Sequence, residues 1–344
     1  MLNCRILNLI FIFSCAFILA VFLTSFLRRF SLKHNLFIRK KGVPYIGGIG
    51  FSLAFILCLY LSFIIRGVIL PFQFLWIIIF SFILLAIGFV DDLKEFSLKT
   101  KVAAQLAFIF LFLIFAKKIQ IYFLPGWANY IVSFLWIAGI TNAFNHLDVA
   151  DGACGGISLI ISLAFLVIFL KTASFLAFVF AGLSGALFAF MFFNLPRLEH
   201  RGRPKAKVFM GNSGSHFLGF LFAALSIYGD YAVLRSPWAL LIPVLVLGLP
   251  IIDTLYLITA RALKKVSPLR KSNDHIILKF LSQGYSQKKM LAGIYFIAVL
   301  WPLSGVFLLN GISAGFWILL SSSLLATILM IIGAGRGRAC RCQS

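Results

Sequence analysis

Long apolar runs, separated by short polar segments, dominate the chain. A helix that spans a bilayer needs about 20 mostly apolar residues, and a window of that length finds about eleven such runs here. We predict spans at roughly 6–27, 46–65, 67–90, 102–116, 128–147, 155–170, 172–193, 215–234, 236–260, 290–310 and 312–333. The first run is interpreted as a span because it is too long for a signal peptide and Arg28 and Arg29 follow it. The pattern predicts an all-α, polytopic integral membrane protein.

The charges between the runs predict the orientation of the chain. With the N-terminus outside, most of the 31 Lys and Arg residues fall on inner segments. The exceptions are Arg5, Arg66, Lys117, Lys118, Lys171 and Arg235. All five histidines and every acidic residue except Asp230 also fall on the inner side. We therefore expect an outside N-terminus, a cytoplasmic C-terminus and one functional surface on the cytoplasmic side.

Composition supports a membrane protein and changes the interpretation of the net charge. The sequence is 62% hydrophobic and 12% charged, whereas soluble proteins average about 45–50% and about 25%. Disordered, collagen-like and disulfide-rich secreted chains are excluded on the same grounds. A net charge of +22 by itself suggests binding to nucleic acid. Because most of the cations lie on inner segments, we interpret them as an orientation signal and a phosphate-attracting surface. We therefore expect no nucleic-acid partner. One membrane domain, 1–333, and a basic tail, 334–344, are the simplest division.

The first polar motif is the pair Asp91-Asp92 at the inner end of the third run. Two adjacent carboxylates repel each other unless a cation compensates them, and a hard divalent ion such as Mg²⁺ prefers these oxygen ligands. The alternative is a solvated acidic loop that Lys94, Lys99 and Lys101 balance. The pair alone does not decide between them.

The second motif lies at the end of the fifth run. Asn142, Asn145 and Asp148 recur every three residues, which places them near one another along a helix end. Asp151-Gly152 then has the composition of a turn that stops the helix. Polar side chains at the end of a span each need a partner, so we favour a functional cluster over an interhelical hydrogen-bond network.

The third motif is Phe209-Met210-Gly211-Asn212-Ser213-Gly214-Ser215, at the start of the eighth run. Small residues before a helix N-terminus expose backbone N–H groups that can cradle phosphate oxygens. Ordinary helix capping explains the same residues.

A basic inner loop from Arg261 to Lys289 contains a single histidine, His275. Such a loop pairs with anionic lipid headgroups by simple electrostatics. Binding of a nucleotide phosphate is the more specific alternative.

Together and in this order, the motifs resemble the polyprenyl-phosphate N-acetylhexosamine-1-phosphate transferases of glycosyltransferase family 4. The resemblance runs from about Lys40 to Tyr285. The segment 40–48 is similar to the family's first cytoplasmic loop, Asp91-Asp92 to its aspartate pair, 101–105 to its Lys-x-x-x-Gln, and Asn145, Asp148 and Asp151 to its Asn-x-x-Asp-x-x-Asp-Gly.

The resemblance implies an enzyme of the bacterial inner membrane with a cytoplasmic active site. It implies transfer of a sugar-1-phosphate, an N-acetylhexosamine, from a UDP-sugar to polyprenyl (undecaprenyl) phosphate, with release of UMP. Mg²⁺ is the implied cofactor, with Mn²⁺ as an alternative. The product would start a cell-envelope glycan, such as an O-antigen of lipopolysaccharide, a teichoic acid or peptidoglycan. The family also forms homodimers, although no residue here indicates a dimer face.

The resemblance also implies roles for individual residues. The catalytic set is Asp91, Asp92, Asp148 and Asp151, with Asp91 a candidate base. The metal ligands are Asp91, Asp92, Asp151 and Asn212. The substrate-binding set is Lys41, Lys101, Asn142, Asn145, Gly211, Gly214, Ser215 and His275.

Three departures from the family pattern leave alternatives open. Asn212 stands where the family usually has an aspartate, Val149 replaces a glycine, and His275 stands alone where many members have a histidine cluster. These departures would also fit a degenerate relative that binds lipid phosphate or nucleotide sugar without turnover. A transporter ranks last, because its acidic site would lie near the bilayer midplane within paired repeats, and neither feature is visible.

Overall fold

A computed structural model describes residues 2–38, 42–66, 71–116, 119–121, 124–172, 174–196, 206–229, 231, 238–265, 275–309 and 313–335. Within these ranges the regular structure is helical, apart from one isolated antiparallel bridge between Ile38 and Pro44. The chain forms two compact units, Met1–Val233 and Leu234–Ser344. The all-α class predicted from the sequence is confirmed. The division at residue 333 stays a prediction.

The first unit is a bundle of long helices. They are α1 Leu2–His34, α2 Gly47–Arg66, α3 Phe72–Lys94, α4 Leu98–Phe115, α5 Gly126–Leu147, α6 Ala153–Lys171, α7 Leu176–Asn194 and α8 Gly211–Tyr228. Helix α7 packs against α1, α2 and α6, and α8 packs against α2, α3 and α5. Most side chains of α7 and α8 are buried. These two helices therefore form the interior of the unit.

Aromatic packing accounts for many of the 40 phenylalanines. Phe165, Phe169 and Phe180 stack with ring centroids 5.0–6.0 Å apart, and Phe222 of α8 adds a stacked contact to Phe180. Offset and edge-on aromatic contacts contribute beyond the area that they bury. This cluster fastens α6, α7 and α8 together.

The described part of the second unit contains five helices. They are α9 Leu241–Val246, α10 Gly248–Leu263, α11 Ile276–Ser282, α12 Gln287–Leu309 and α13 Ser313–Gly335. Helix α12 packs against α9, α10 and α13, and α11 packs against α12 and α13. Trp301 Nε1 donates to Thr327 Oγ1 at 3.2 Å. This buried bond joins α12 to α13.

The ninth predicted span, 236–260, is not one continuous helix. Its described part divides at Leu247 into α9 and α10. Pro250 has no N–H group to donate to the carbonyl of Val246, so the regular bonding pattern cannot pass this point. Hydropathy alone does not register this interruption, because the proline is surrounded by apolar residues.

Eight of the described helices are long and apolar enough to cross a membrane: α1, α2, α3, α4, α6, α7, α12 and α13. Helices α5 and α8 are long enough but carry the polar residues of the second and third motifs at their ends. The protein is a multi-pass membrane protein, as predicted. The count of eleven spans and the orientation stay predictions.

Candidate active site

Asp92, in the last turn of α3, lies against the first turn of α8. Its Oδ1 accepts a hydrogen bond from the Asn212 backbone N–H at 3.1 Å, and its Oδ2 accepts one from the Ser213 backbone N–H at 3.1 Å. The first N–H groups of a helix have no partner within the helix and carry a partial positive charge. The Asp92 carboxylate is therefore the anion that occupies the start of α8.

Two glycines allow this close approach. Gly211 has a φ of +77°, and a Cβ there would lie 2.5 Å from Asp92 Oδ2. A Cβ on Gly88 of α3 would lie 2.5 Å from the Asn212 carbonyl oxygen. Any larger side chain at either position would separate α3 from the N-terminus of α8.

Asp91 is held by an equally complete set of donors. Its Oδ2 lies 3.0 Å from Lys101 Nζ and accepts from Asn212 Nδ2 at 2.7 Å. Its Oδ1 accepts from the Phe96 backbone N–H at 3.0 Å. The Asp91 and Asp92 side chains are both buried, so compensation within the protein replaces solvation by water.

Asp148 and Asp151 lie in the turn between α5 and α6. Asp148 follows the last residue of α5, and Gly152, with a φ of +85°, precedes α6. Asp151 Oδ2 accepts from the Ala206 backbone N–H at 3.1 Å. Both aspartates of the second motif are therefore half-buried at a tight turn, and Asp151 bonds to the segment that precedes α8.

Asn194, at the end of α7, was not identified from the sequence. Its Oδ1 accepts from the Gly152 N–H at 2.9 Å, and its Nδ2 donates to the Val208 carbonyl at 3.0 Å. The buried amide thus fastens the Asp151-Gly152 turn to the segment before α8. In the sequence, the signal for this role was a polar amide directly after the apolar run of α7.

The segment before α8 also pairs with the chain that precedes α2. The Phe209 N–H donates to the Pro44 carbonyl at 2.8 Å, and the N–H groups of Gly47 and Gly48 donate to the carbonyls of Phe209 and Met210 at 3.0 Å. A Cβ on Gly48 would lie 2.3 Å from the Gly214 backbone nitrogen. Gly211 and Gly214 thus permit close backbone packing around the site.

These elements surround a cavity of about 820 Å³. Five of the predicted site residues line it: Asp92, Asp148, Asp151, Gly211 and Asn212. The wall also includes Ile38, Tyr45, Lys94, Glu95, Asn194 and Phe209. Glu95, an exposed carboxylate with a φ of +49°, is a second wall residue that the sequence interpretation missed.

The remaining residues of the second and third motifs meet between α5 and α8. Ser215 Oγ donates to Asn145 Oδ1 at 3.3 Å. Asn142 Nδ2 donates to the carbonyl of Ala138 in its own helix at 2.8 Å. The structure thus brings Asn145 to α8, whereas the Asn142 amide bonds within α5.

Two predicted substrate-binding residues remain, Lys41 and His275. Lys41 falls outside the described residues. His275 is buried and directly precedes α11 in the second unit. Their assigned roles stay predictions.

A divalent ion such as Mg²⁺ requires several oxygen ligands. Across the described ranges, no three acidic, histidine or cysteine side chains are grouped so that they could hold one metal ion. Mg²⁺, however, is commonly bound by one or two carboxylates together with substrate phosphates and water. The half-buried Asp148 and Asp151 carboxylates on the cavity wall suit that mode, whereas the oxygens of Asp91 and Asp92 already accept protein hydrogen bonds.

Comparison with known proteins agrees with this geometry. The profile of Glycosyl transferase family 4 matches residues 74–230, which contain both aspartate motifs and α8. A relative from Bacillus subtilis, named a probable undecaprenyl-phosphate N-acetylglucosaminyl 1-phosphate transferase, is 27% identical over 96% of this chain and 93% of its own length.

Two further relatives carry related names. An undecaprenyl-phosphate alpha-N-acetylglucosaminyl 1-phosphate transferase from Thermotoga maritima is 27% identical over 91% of this chain and 94% of its own length. A phospho-N-acetylmuramoyl-pentapeptide-transferase from Listeria monocytogenes is 29% identical over 59% of this chain and 65% of its own length. The chain is therefore similar to glycosyl transferase family 4 over residues 74–230 and to two N-acetylglucosaminyl 1-phosphate transferases over most of its length.

Proposed function

We propose that the protein transfers an N-acetylhexosamine-1-phosphate from a UDP-sugar to undecaprenyl phosphate or a similar polyprenyl phosphate, and releases UMP. One observation supports this most directly. Aspartates from two separate motifs, Asp92 from the first and Asp148 and Asp151 from the second, line a single cavity at the ends of apolar helices. A lipid phosphate acceptor requires its reaction site at such a boundary.

Phosphoryl transfer depends mainly on positioning and on neutralising charge. An oxygen of the lipid phosphate forms a bond to the β-phosphorus of the donor, and the bond from that phosphorus to the bridging oxygen of UMP breaks. UMP leaves with the bonding electron pair. Lys101, 15% exposed and paired with Asp91, is the described cation that we assign to the approaching phosphates.

We propose Mg²⁺ as the cofactor, with Mn²⁺ as an alternative. Asp148 and Asp151 would hold it together with phosphate oxygens of the donor. When bound, the ion would neutralise charge on the diphosphate. Asn194 keeps the turn that carries both carboxylates in place.

We further propose that the protein lies in a bacterial inner membrane with the site facing the cytoplasm. The excess of Lys and Arg on the predicted inner segments supports this orientation. Asp91, Asp92, Asp148 and Asp151 fall on the same predicted side. A homodimer remains a family expectation.

The decisive test is UMP release by the purified protein with undecaprenyl phosphate, Mg²⁺ and a panel of UDP-amino sugars. We expect turnover with at least one donor. Asp151→Asn should abolish turnover, because the amide keeps an oxygen for the Ala206 N–H but loses the charge. Asp230→Asn, predicted on the opposite side of the membrane, is the matched control and should retain activity. No turnover with any donor would contradict the proposal.

A further inference from the structure

Groups of the protein compensate the aspartate pair, among them the Lys101 ammonium. All the carboxylate oxygens of Asp91 and Asp92 accept hydrogen bonds or an ion pair: from the Phe96 N–H, Lys101 Nζ, Asn212 Nδ2, the Asn212 N–H and the Ser213 N–H. Both residues are 5% exposed. Nothing in this arrangement requires an additional cation to hold the two carboxylates together.

Asn212 is the residue that connects the two carboxylates. Its backbone N–H donates to Asp92 and its side-chain amide donates to Asp91. Its own carbonyl lies 2.7 Å from His216 Nδ1, one turn further along α8. One residue at the start of α8 thus contacts both acids while its backbone is anchored in the helix.

The amide at position 212 determines how the pair can be neutralised. An aspartate there could not donate to Asp91, because a carboxylate is an acceptor only. It would instead place a third negative charge about 2.7 Å from Asp91 Oδ2, the distance now spanned by the Asn212 amide, and like charges this close disfavour the ionised forms. A bound cation is the remaining way to relieve that repulsion.

We infer that Asn212 is a positioning residue that clamps Asp91 and Asp92 to α8 without a metal ion, so that the donor-free protein binds no divalent ion on this pair. Asp91 and Asp92 are then removed from the metal-ligand set that the resemblance implied, and Asn212 acts through its N–H groups. Asn212 would hold the two carboxylates whether or not the protein is active. That this positioning assists catalysis rests on the proposed function.

The test measures binding of Mn²⁺ by electron paramagnetic resonance, and thermal unfolding with and without Mg²⁺, in full-length protein without donor. The wild type and the Asp91→Asn variant should bind Mn²⁺ with the same affinity and to the same extent. Asn212→Asp should unfold at a lower temperature without Mg²⁺, recover with it, and bind Mn²⁺ about tenfold more tightly, because affinity follows the charge of the ligand set. Adding Asp91→Asn to Asn212→Asp should remove this gain.

Matched variants separate the clamp from general stability. Asn212→Ala removes the amide without adding charge, so it should unfold at a lower temperature that Mg²⁺ does not restore. Wild-type Mn²⁺ binding that Asp91→Asn abolishes would overturn the inference, as would equal Mn²⁺ affinity of the wild type and Asn212→Asp. The wild-type and Asp91→Asn comparison suffices even if Asn212→Asp does not fold. Because these readouts need no turnover, failure of the UMP assay would leave them interpretable.

Discussion

Asp91 and Lys101 show how the site handles charge at the scale of single residues. Their 3.0 Å ion pair lies largely out of solvent, with side-chain exposures of 6% and 15%. Removing one partner of a buried pair is costly because the other charge loses its compensation. If Lys101 is replaced, Asp91 would keep its bonds to Asn212 and the Phe96 N–H. We therefore expect the replacement to affect phosphate binding more than stability.

Replacing Lys101 tests this division of roles. We expect Lys101→Met to lower the rate of UMP release on the order of a hundredfold, a loss typical of removing one charge-stabilising group, with a smaller effect on the unfolding temperature. Lys101→Arg, which keeps the charge, should retain part of the activity. Lys99→Met is the control, since Lys99 lies exposed in the same helical turn. Equal losses in both methionine variants would contradict the assignment.

At the scale of elements, side-chain amides connect the turns to the helices. Asn194 joins the Asp151-Gly152 turn to the segment before α8 with two bonds of 2.9 and 3.0 Å. Asn129, near the start of α5, makes a comparable set of bonds with Ile121 and Leu124. Of these two amides, only Asn194 bonds to the turn that carries Asp151, an aspartate that we propose for catalysis.

These two amides form a matched pair for mutation. Asn194→Ala leaves the Gly152 N–H and the Val208 carbonyl without their present partner, at a cost of about 1–3 kcal/mol for each buried group. We expect a lower unfolding temperature together with a lower kcat, because Asp151 loses its position. Asn129→Ala should lower the unfolding temperature and leave kcat unchanged. Unchanged kcat in Asn194→Ala would show that Asn194 is structural only.

At the scale of the whole molecule, the site forms because consecutive helices run in opposite directions. In the first unit, α3, α5 and α7 end at the cavity and α8 begins there. Apolar helices hydrogen-bond their own backbone polar groups internally. Polar and charged side chains therefore lie mainly at the helix ends. Consecutive antiparallel helices thus bring motifs about 60 residues apart in sequence to the same end.

The orientation of this end can be measured with reporters fused after α13. We expect a C-terminal green fluorescent protein to fluoresce and a C-terminal alkaline phosphatase to be inactive, because positively charged segments stay on the cytoplasmic side. Fusions after Lys171, at the end of α6, should show the opposite pattern. An active phosphatase at the C-terminus would reverse the predicted topology.

The sequence by itself determined the fold class, the membrane environment and the motifs at the ends of the apolar runs. Those properties depend on composition and local periodicity, which are readable without tertiary contacts. Only the tertiary structure decided the partners: that Asp92 occupies the start of α8, that Asn212 donates to Asp91, and that Asn194 fastens the Asp151-Gly152 turn. Hydrogen bonds between residues 40 to 120 positions apart leave no trace in local pattern, because they depend on which helix ends the packing brings together.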